Sequence, residues 1–197
     1  MFAFIAREPI LDKSKSVFAY ELIFRDGKGG AYPEHSPEKA QYIEAQFHPL
    51  GLDDISGEKS SFINFSSETL ISRFPTTLDP ASVVVELADN PFTETGLLEA
   101  CQHIKQLGYR LAIDDPMMLS ARHDILPLID IVKVDVSRTR FETIEKHIPR
   151  YLDANVKLVA EQVNTPDHFA TCSDLGFDLF QGYFFAQPEA RIVRQLP

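Results

Sequence analysis

Short apolar runs that each stop at a polar residue recur along this chain. Val17-Phe18-Ala19-Tyr20 stops at Glu21, Phe62-Ile63 at Asn64, and Val83-Val84-Val85 at Glu86. Leu111-Ala112-Ile113 stops at Asp114-Asp115, Ile131-Val132 at Lys133, Leu158-Val159-Ala160 at Glu161, and Leu179-Phe180 at Gln181. A core strand gains nothing by ending on a charge, and burying an unpaired carboxylate is costly. One such end is noise. A series of them predicts a parallel barrel that gathers carboxylates at one mouth, where they can bind metal and run hydrolysis.

The runs and the stretches between them give a list of elements. Residues 2–6 and 17–25 read as two strands, and the turn formers from Pro9 to Ser16 join them as an antiparallel hairpin. Residues 26–37 are rich in Gly and Pro and read as loop. Ile43 and Phe47 lie at helical spacing, which predicts a helix over 40–50. Further strands are expected at 61–65, 83–88, 110–114, 131–136, 157–161 and 179–185. Gly108, Gly176 and Asn155 each precede a strand, as left-handed helix caps do. Asn90-Pro91 and Thr165-Pro166 are helix starts, with a capping side chain before a Pro at the first helical position. The opening pair and the six later runs make a (β/α) barrel of eight strands. An open doubly wound sheet would more often carry a Gly-rich phosphate turn after an early strand, and there is none.

Composition narrows the function. The chain has 197 residues, 44% hydrophobic and 24% charged, which suits one globular domain spanning 1–197. Its formal net charge of -10 argues against wrapping a nucleic acid polymer. A small anionic ligand stays open, because a bound divalent metal reverses the local charge. Cys101 and Cys172 fall on apolar helix faces and read as buried free thiols, which fits a reducing cytoplasm. No run is long enough to span a membrane, and the N-terminus lacks the pattern of a signal peptide. The final residues, 192–197, carry no helix stop or polar tail, and suggest the N-terminal part of a longer protein.

Each candidate has a plainer reading. Asp114-Asp115 is a metal-binding pair, or a helix N-cap before Pro116. Glu86 and Glu161 are site carboxylates, or strand-end charges that reach water. Lys133 holds a phosphate, an acidic partner or the attacking water, or it snorkels to the surface. Asp135, two residues on, is its expected partner. Asn64 is a neutral metal ligand or a helix N-cap. The stripe Phe180, Tyr183, Phe184 and Phe185 reads as core. The six histidines show no paired metal-ligand spacing, and no nucleophilic Ser or Cys motif stands out.

In this order the motifs resemble the EAL domain of bacterial cyclic-di-GMP phosphodiesterases. Tyr20-Glu21-Leu22-Ile23-Phe24-Arg25 is similar to the signature that names that family, with Leu-Ile in place of Ala-Leu. Ile63-Asn64-Phe65-Ser66, Val85-Glu86-Leu87-Ala88-Asp89 and Ile113-Asp114-Asp115 resemble its next three motifs. Val132-Lys133-Val134-Asp135, Ala160-Glu161-Gln162-Val163-Asn164 and Gln181-Gly182-Tyr183-Phe184-Phe185 with Pro188 resemble the remainder. Phe4-Ile5-Ala6-Arg7-Glu8-Pro9-Ile10 resembles the subgroup in which an EAL domain precedes an HDOD domain.

The resemblance implies a modified (β/α)8 TIM-like barrel with one antiparallel strand near the N-terminus. It implies metal-dependent hydrolysis of cyclic di-GMP to linear pGpG, in a cytoplasmic signalling protein. Glu21, Asn64, Glu86 and Asp114 would ligate one Mg2+ or Mn2+, and Asp115 would serve a second. Lys133 and Glu161 would position and activate the water, Gln181 would support the site, and Arg25 would contact ligand phosphate. The implied partners are cyclic di-GMP and a downstream HDOD-like domain or other signalling protein. A homodimer stays open.

Two departures weaken the catalytic expectation. The family follows its Asp pair with Phe-Gly and a Gly- and Ser-rich gating loop, whereas this chain reads Asp115-Pro116-Met117-Met118-Leu119-Ser120-Ala121-Arg122. Pro116 fixes the turn there, and segment 116–124 is expected to be poorly ordered or to pack unlike the family loop. Asn164 stands where the family has a second Glu, and Asp89 is a shortened stand-in for the Glu that braces the loop. The expected protein recognises cyclic di-GMP with weak or lost hydrolysis. The rival is a non-catalytic interaction domain that does not bind the nucleotide.

Overall fold

A computed structural model describes residues 4–25, 52–72, 78–87, 96–114 and 125–192. Strand β1 (Phe4–Asp12) turns back into β2 (Val17–Arg25), antiparallel, with Ile10 opposite Ala19 and Glu8 opposite Glu21. Strands β3 (Ser60–Phe65), β4 (Val83–Leu87), β5 (Arg110–Asp114), β6 (Ile131–Asp135), β7 (Lys157–Glu161) and β8 (Leu179–Phe180) follow. Each pairs in parallel with the one before it, starting from β2. β8 then pairs antiparallel with β1 and closes the ring. The expected TIM-like barrel is therefore present, and β1 is its one reversed strand.

Local sequence explains most of the elements. α1 (Asp53–Ser56) and α2 (Ser67–Ile71) flank β3, and α3 (Leu97–Gln106), α4 (Phe141–Asp153) and α5 (Pro166–Asp174) precede β5, β7 and β8. Thr165 caps α5 by accepting the His168 amide at 3.1 Å, with Pro166 in the first turn. Gly108, Asn155 and Gly176 take φ of 93°, 56° and 99° just past α3, α4 and α5. That left-handed step ends each helix and turns the chain into the next strand. The helix expected over 40–50 and the start at Asn90-Pro91 lie outside the described residues.

Two strand ends and one added strand depart most from expectation. β1 runs on through Pro9 to Asp12, where a turn was expected from Pro9. Pro9 falls between the stretch of β1 paired with β9 (Glu189–Ile192) and the stretch paired with β8. A strand needs no N–H donor in that gap. β8 stops at Phe180 instead of 185, because the chain enters a turn at 182–185. β9 itself was not expected. It adds to β1, held partly by Arg7 donating to Glu189 at 2.9 Å.

Two apolar layers hold the barrel. Ile10, Ala19, Phe62, Val84, Ala112, Ile131, Val159 and Leu179 fill the lumen. Val83 and Val85, on either side of Val84, belong to the outer layer with Leu97, Cys101 and Ile104 of α3. All three valines are fully buried, each contributing about 1.5–3 kcal/mol by leaving water. Cys101 and Cys172 are buried free thiols, as expected. Burial pushes Cys101 up to about 11 and Cys172 up to about 12. Phe180 is core, whereas Tyr183 is exposed.

Candidate active site

The lumen layer explains how the polar residues converge. Side chains alternate along a strand, so the residue two places beyond a lumen residue also points inward. Ala19 leads to Glu21, Phe62 to Asn64, Val84 to Glu86, and Ala112 to Asp114. Ile131 leads to Lys133, Val159 to Glu161, and Leu179 to Gln181. The parallel strands all climb toward the same mouth. The short-period pattern along the chain thus becomes a ring at the C-terminal end of the barrel.

Lys133 is the hub of this ring. Its side chain is 1% exposed. Nζ donates to Glu86 Oε1 at 2.7 Å and to Glu21 Oε2 at 3.2 Å. It stands 2.8 Å from Glu161 Oε1 and 3.6 Å from Asp114 Oδ1. Burial alone would lower the ammonium. The carboxylates of Glu161, Glu21, Glu86 and Asp114 outweigh it and hold Lys133 well above its ordinary value. Lys133 is therefore a fixed cation. The snorkelling reading is excluded, and so is pairing with Asp135, which instead accepts from Ser137 and pairs with Arg138. Asp135 lies a further step up the strand, past the cluster.

The carboxylates differ in environment. Burial pushes Glu86 well above the usual carboxylate range, Asp114 adds to this, and Lys133 opposes it. Burial likewise lifts Glu161 to about 7, with Lys133 opposing and Asp114 and Glu21 adding. A carboxyl near neutrality next to a fixed cation suits proton transfer from water. Gln181 donates Nε2 to Glu21 Oε2 at 2.7 Å and so fixes that carboxylate.

Several oxygens in the ring are buried without a hydrogen-bond partner: Asn64 Oδ1, Glu86 Oε2, Asp114 Oδ1 and Gln181 Oε1. Orphaned buried acceptors are rare, and a water, a donor or a cation would satisfy them. All are oxygen donors, the ligand type that hard divalent cations prefer, so the residues fit such an ion. Among the described residues no three His, Cys, Asp or Glu side chains already surround one point in metal-holding geometry. The Lys133 ammonium occupies the place on which they converge.

Asn64 lies beside Glu86 on adjacent strands. It is not the helix cap: Ser66 is, accepting the Thr69 amide at 3.3 Å. Arg25 ends β2 opposite Phe4. Asp115, Asp89 and segment 116–124 lie outside the described residues.

One inward residue was missed. β1 runs in reverse, so the step toward the mouth from Ile10 leads back to Glu8, opposite Glu21. The signal was the Glu8–Ile10 alternation, hidden by reading Pro9 as the start of a turn.

Backbone geometry holds Gln181 in place. Gln181 N donates to Ala160 O at 2.8 Å, and Val163 N donates to Gln181 O at 2.9 Å. The chain then turns at Gly182, whose φ is 145°. A Cβ there would lie 2.4 Å from Val163 N. Gly182→Ala should therefore cost at least about 3 kcal/mol from strain and clash together. A thermal melt checks this, and an unchanged midpoint would show that the turn relaxes freely.

The family model described as "EAL domain" matches residues 43–188. The cyclic di-GMP phosphodiesterase CdgJ of Vibrio cholerae is 36% identical over 197 residues, covering 98% of this chain and 45% of CdgJ. The uncharacterized protein YuxH of Bacillus subtilis is 29% identical over 195 residues, covering 95% of this chain and 48% of YuxH. The chain thus spans about half the length of the curated relatives it matches. Among solved structures, a manganese and cyclic-di-GMP complex of BlrP1 from Klebsiella pneumoniae superposes with a TM-score of 0.77 at 21% identity. That match covers 97% of this chain and 57% of the BlrP1 chain, and shows the shared fold.

Proposed function

Because this chain belongs to the EAL domain family, we propose that it recognises cyclic di-GMP through a divalent cation and hydrolyses it slowly to pGpG. The observation that carries this reading is the buried Lys133 ammonium gripped by Glu21, Glu86, Asp114 and Glu161 at the barrel mouth. Burying so many charges together is costly, which favours a functional reason for the cluster over packing alone.

Glu21, Asn64, Glu86 and Asp114 would hold Mg2+ or Mn2+, with Asp115 serving a second ion. When bound, the cation supplies Lewis-acid polarisation of the phosphodiester. Glu161 accepts the proton of the attacking water as its oxygen bonds to phosphorus and one ester P–O bond breaks, and the departing ribose oxygen takes a proton from solvent to leave as a hydroxyl. Lys133 keeps its charge throughout and offsets the negative charge that builds on the phosphoryl oxygens. Gln181 keeps Glu21 oriented, and Arg25 contacts a ligand phosphate. Turnover is slow because the Pro116 segment replaces the glycine-rich gate, and about 1 Å of misplacement can cost on the order of a hundredfold. No helix among the described residues is long and apolar enough to cross a membrane. We place the protein in the cytoplasm, with an HDOD-like domain downstream as its partner.

Calorimetric titration with cyclic di-GMP, with and without Mn2+, tests the reading. Binding only with Mn2+ is expected. No binding under either condition would favour the non-catalytic interaction domain.

Metal should also stabilise the fold in a pH-dependent way. The Glu161 carboxyl is raised in the folded state, so its contribution favours folding at low pH and fades as pH rises from 4.5 through about 7. Protons compete with the cation over the same range. Mn2+ should therefore raise the melting temperature clearly at pH 8 and little at pH 5. An equal rise at both would mean that Glu86, a ligand held above the usual carboxylate range by burial, does not exchange its proton for the cation.

A further inference from the structure

We propose that Glu8 is an additional metal-binding carboxylate of this mouth, supplied by the reversed strand. The proposal rests on the metal-dependent reading above and extends its ligand set.

Register fixes where Glu8 points. Ile10 lies opposite Ala19, and both fill the lumen. Two residues nearer the mouth, Glu8 lies directly opposite Glu21. Its neighbour Arg7 points the other way, over the Tyr20 ring at 4.5 Å and onto Ile55 O at 2.6 Å. Glu8 therefore joins the ring from the strand that the parallel pattern does not cover.

Nothing among the described residues asks for a carboxylate there. Like charges directly opposite on paired strands are destabilising. Partial burial and the Glu21 charge both act against an ionised Glu8, offset in part by Gln181 and, more weakly, by Lys133. Lys133 has three protons to donate. Its three shortest contacts are with Glu86, Glu161 and Glu21, so it reaches Glu8 only through space. A neutral side chain would cost less unless another cation is to be met.

A second observation points to that cation. Gln181, which donates to Glu21, is 4% exposed, and its Oε1 has no hydrogen-bond partner among the described residues. Across the mouth, Glu86 is 0% exposed and its Oε2 is equally unpartnered. The Glu8 carboxylate thus stands among orphaned oxygens, which together offer a hard cation more donors than Glu21, Asn64, Glu86 and Asp114 alone.

The test is titration of the full chain with MnCl2 by calorimetry, for wild type, Glu8→Gln and Glu8→Asp, alongside metal-free melts. Glu8→Gln should bind Mn2+ at least about tenfold more weakly. Its metal-free melting temperature should hold or rise, because the repulsion with Glu21 is gone. Glu8→Asp keeps the charge and should fall between wild type and Gln. These opposed signs separate a ligand from a packing residue, whose loss would lower both. Equal Mn2+ affinity in wild type and Glu8→Gln overturns the proposal and leaves the metal-dependent reading standing. Loss of affinity and metal-free stability together also overturns it. Absence of Mn2+ binding in wild type overturns both.

Discussion

Lys133→Met should destabilise the protein by about 3–5 kcal/mol, the cost of leaving buried charges without their partner. For a chain of this size that is a fall in melting temperature on the order of 10 °C. The substitution keeps the length and apolar stem of the side chain and removes the charge. Glu21, Glu86, Asp114 and Glu161 would then face one another across the mouth, Glu86 fully buried, with no ammonium between them. Those carboxylates can answer by taking up protons. The deficit should therefore be larger at pH 8 than at pH 5, where more of them are neutral. Mn2+ should restore part of it, since a divalent cation can take over the counter-charge. A deficit below about 1 kcal/mol at pH 8 would fall in the range of surface pairs and show that the hub is not what holds the mouth together.

Glu161→Ala should abolish most of the hydrolysis, by about 10²–10⁴-fold, the usual worth of a positioned proton acceptor. The physical basis is its position: 2.8 Å from a permanently charged ammonium, in surroundings that lift its carboxyl to about 7. Binding of cyclic di-GMP should change far less than rate, because Glu161 acts on the water and not on the nucleotide. Chromatographic measurement of pGpG release, with calorimetry of nucleotide binding in parallel, separates the two effects. Equal residual activity in wild type and mutant would point to a contaminating hydrolase. Fast wild-type turnover in modest Mg2+ would show that Pro116 and the missing glycines do not limit the reaction.

Much of the barrel could be read from the chain because its signals are local. Val83-Val84-Val85 is buried on both faces, as a parallel strand demands. The helix caps at Thr165, Gly108, Asn155 and Gly176 depend only on residues within a turn or two. The strand ends at Asp114, Lys133 and Glu161 follow from alternation with period two. What escaped is non-local. Pro9 reads as a turn breaker by itself, and becomes a strand residue only because its N–H side faces a gap between β8 and β9. β9 has no strong pattern of its own, and forms because β1 offers it an edge.

The same division runs through the site. The sequence by itself determined which residues alternate with apolar neighbours, and so which polar side chains can share a face. Only the closed tertiary structure decided who meets whom. It set Lys133 against four carboxylates from four other strands and not against Asp135, its neighbour on β6. It placed Glu8 opposite Glu21 by reversing β1. It also demanded glycine at 182, where the backbone of Val163 leaves no room for a side chain. Alternation is a property of the chain, whereas register, strand direction and closure are properties of pairs far apart in it, and charge pairing at the mouth depends on all three.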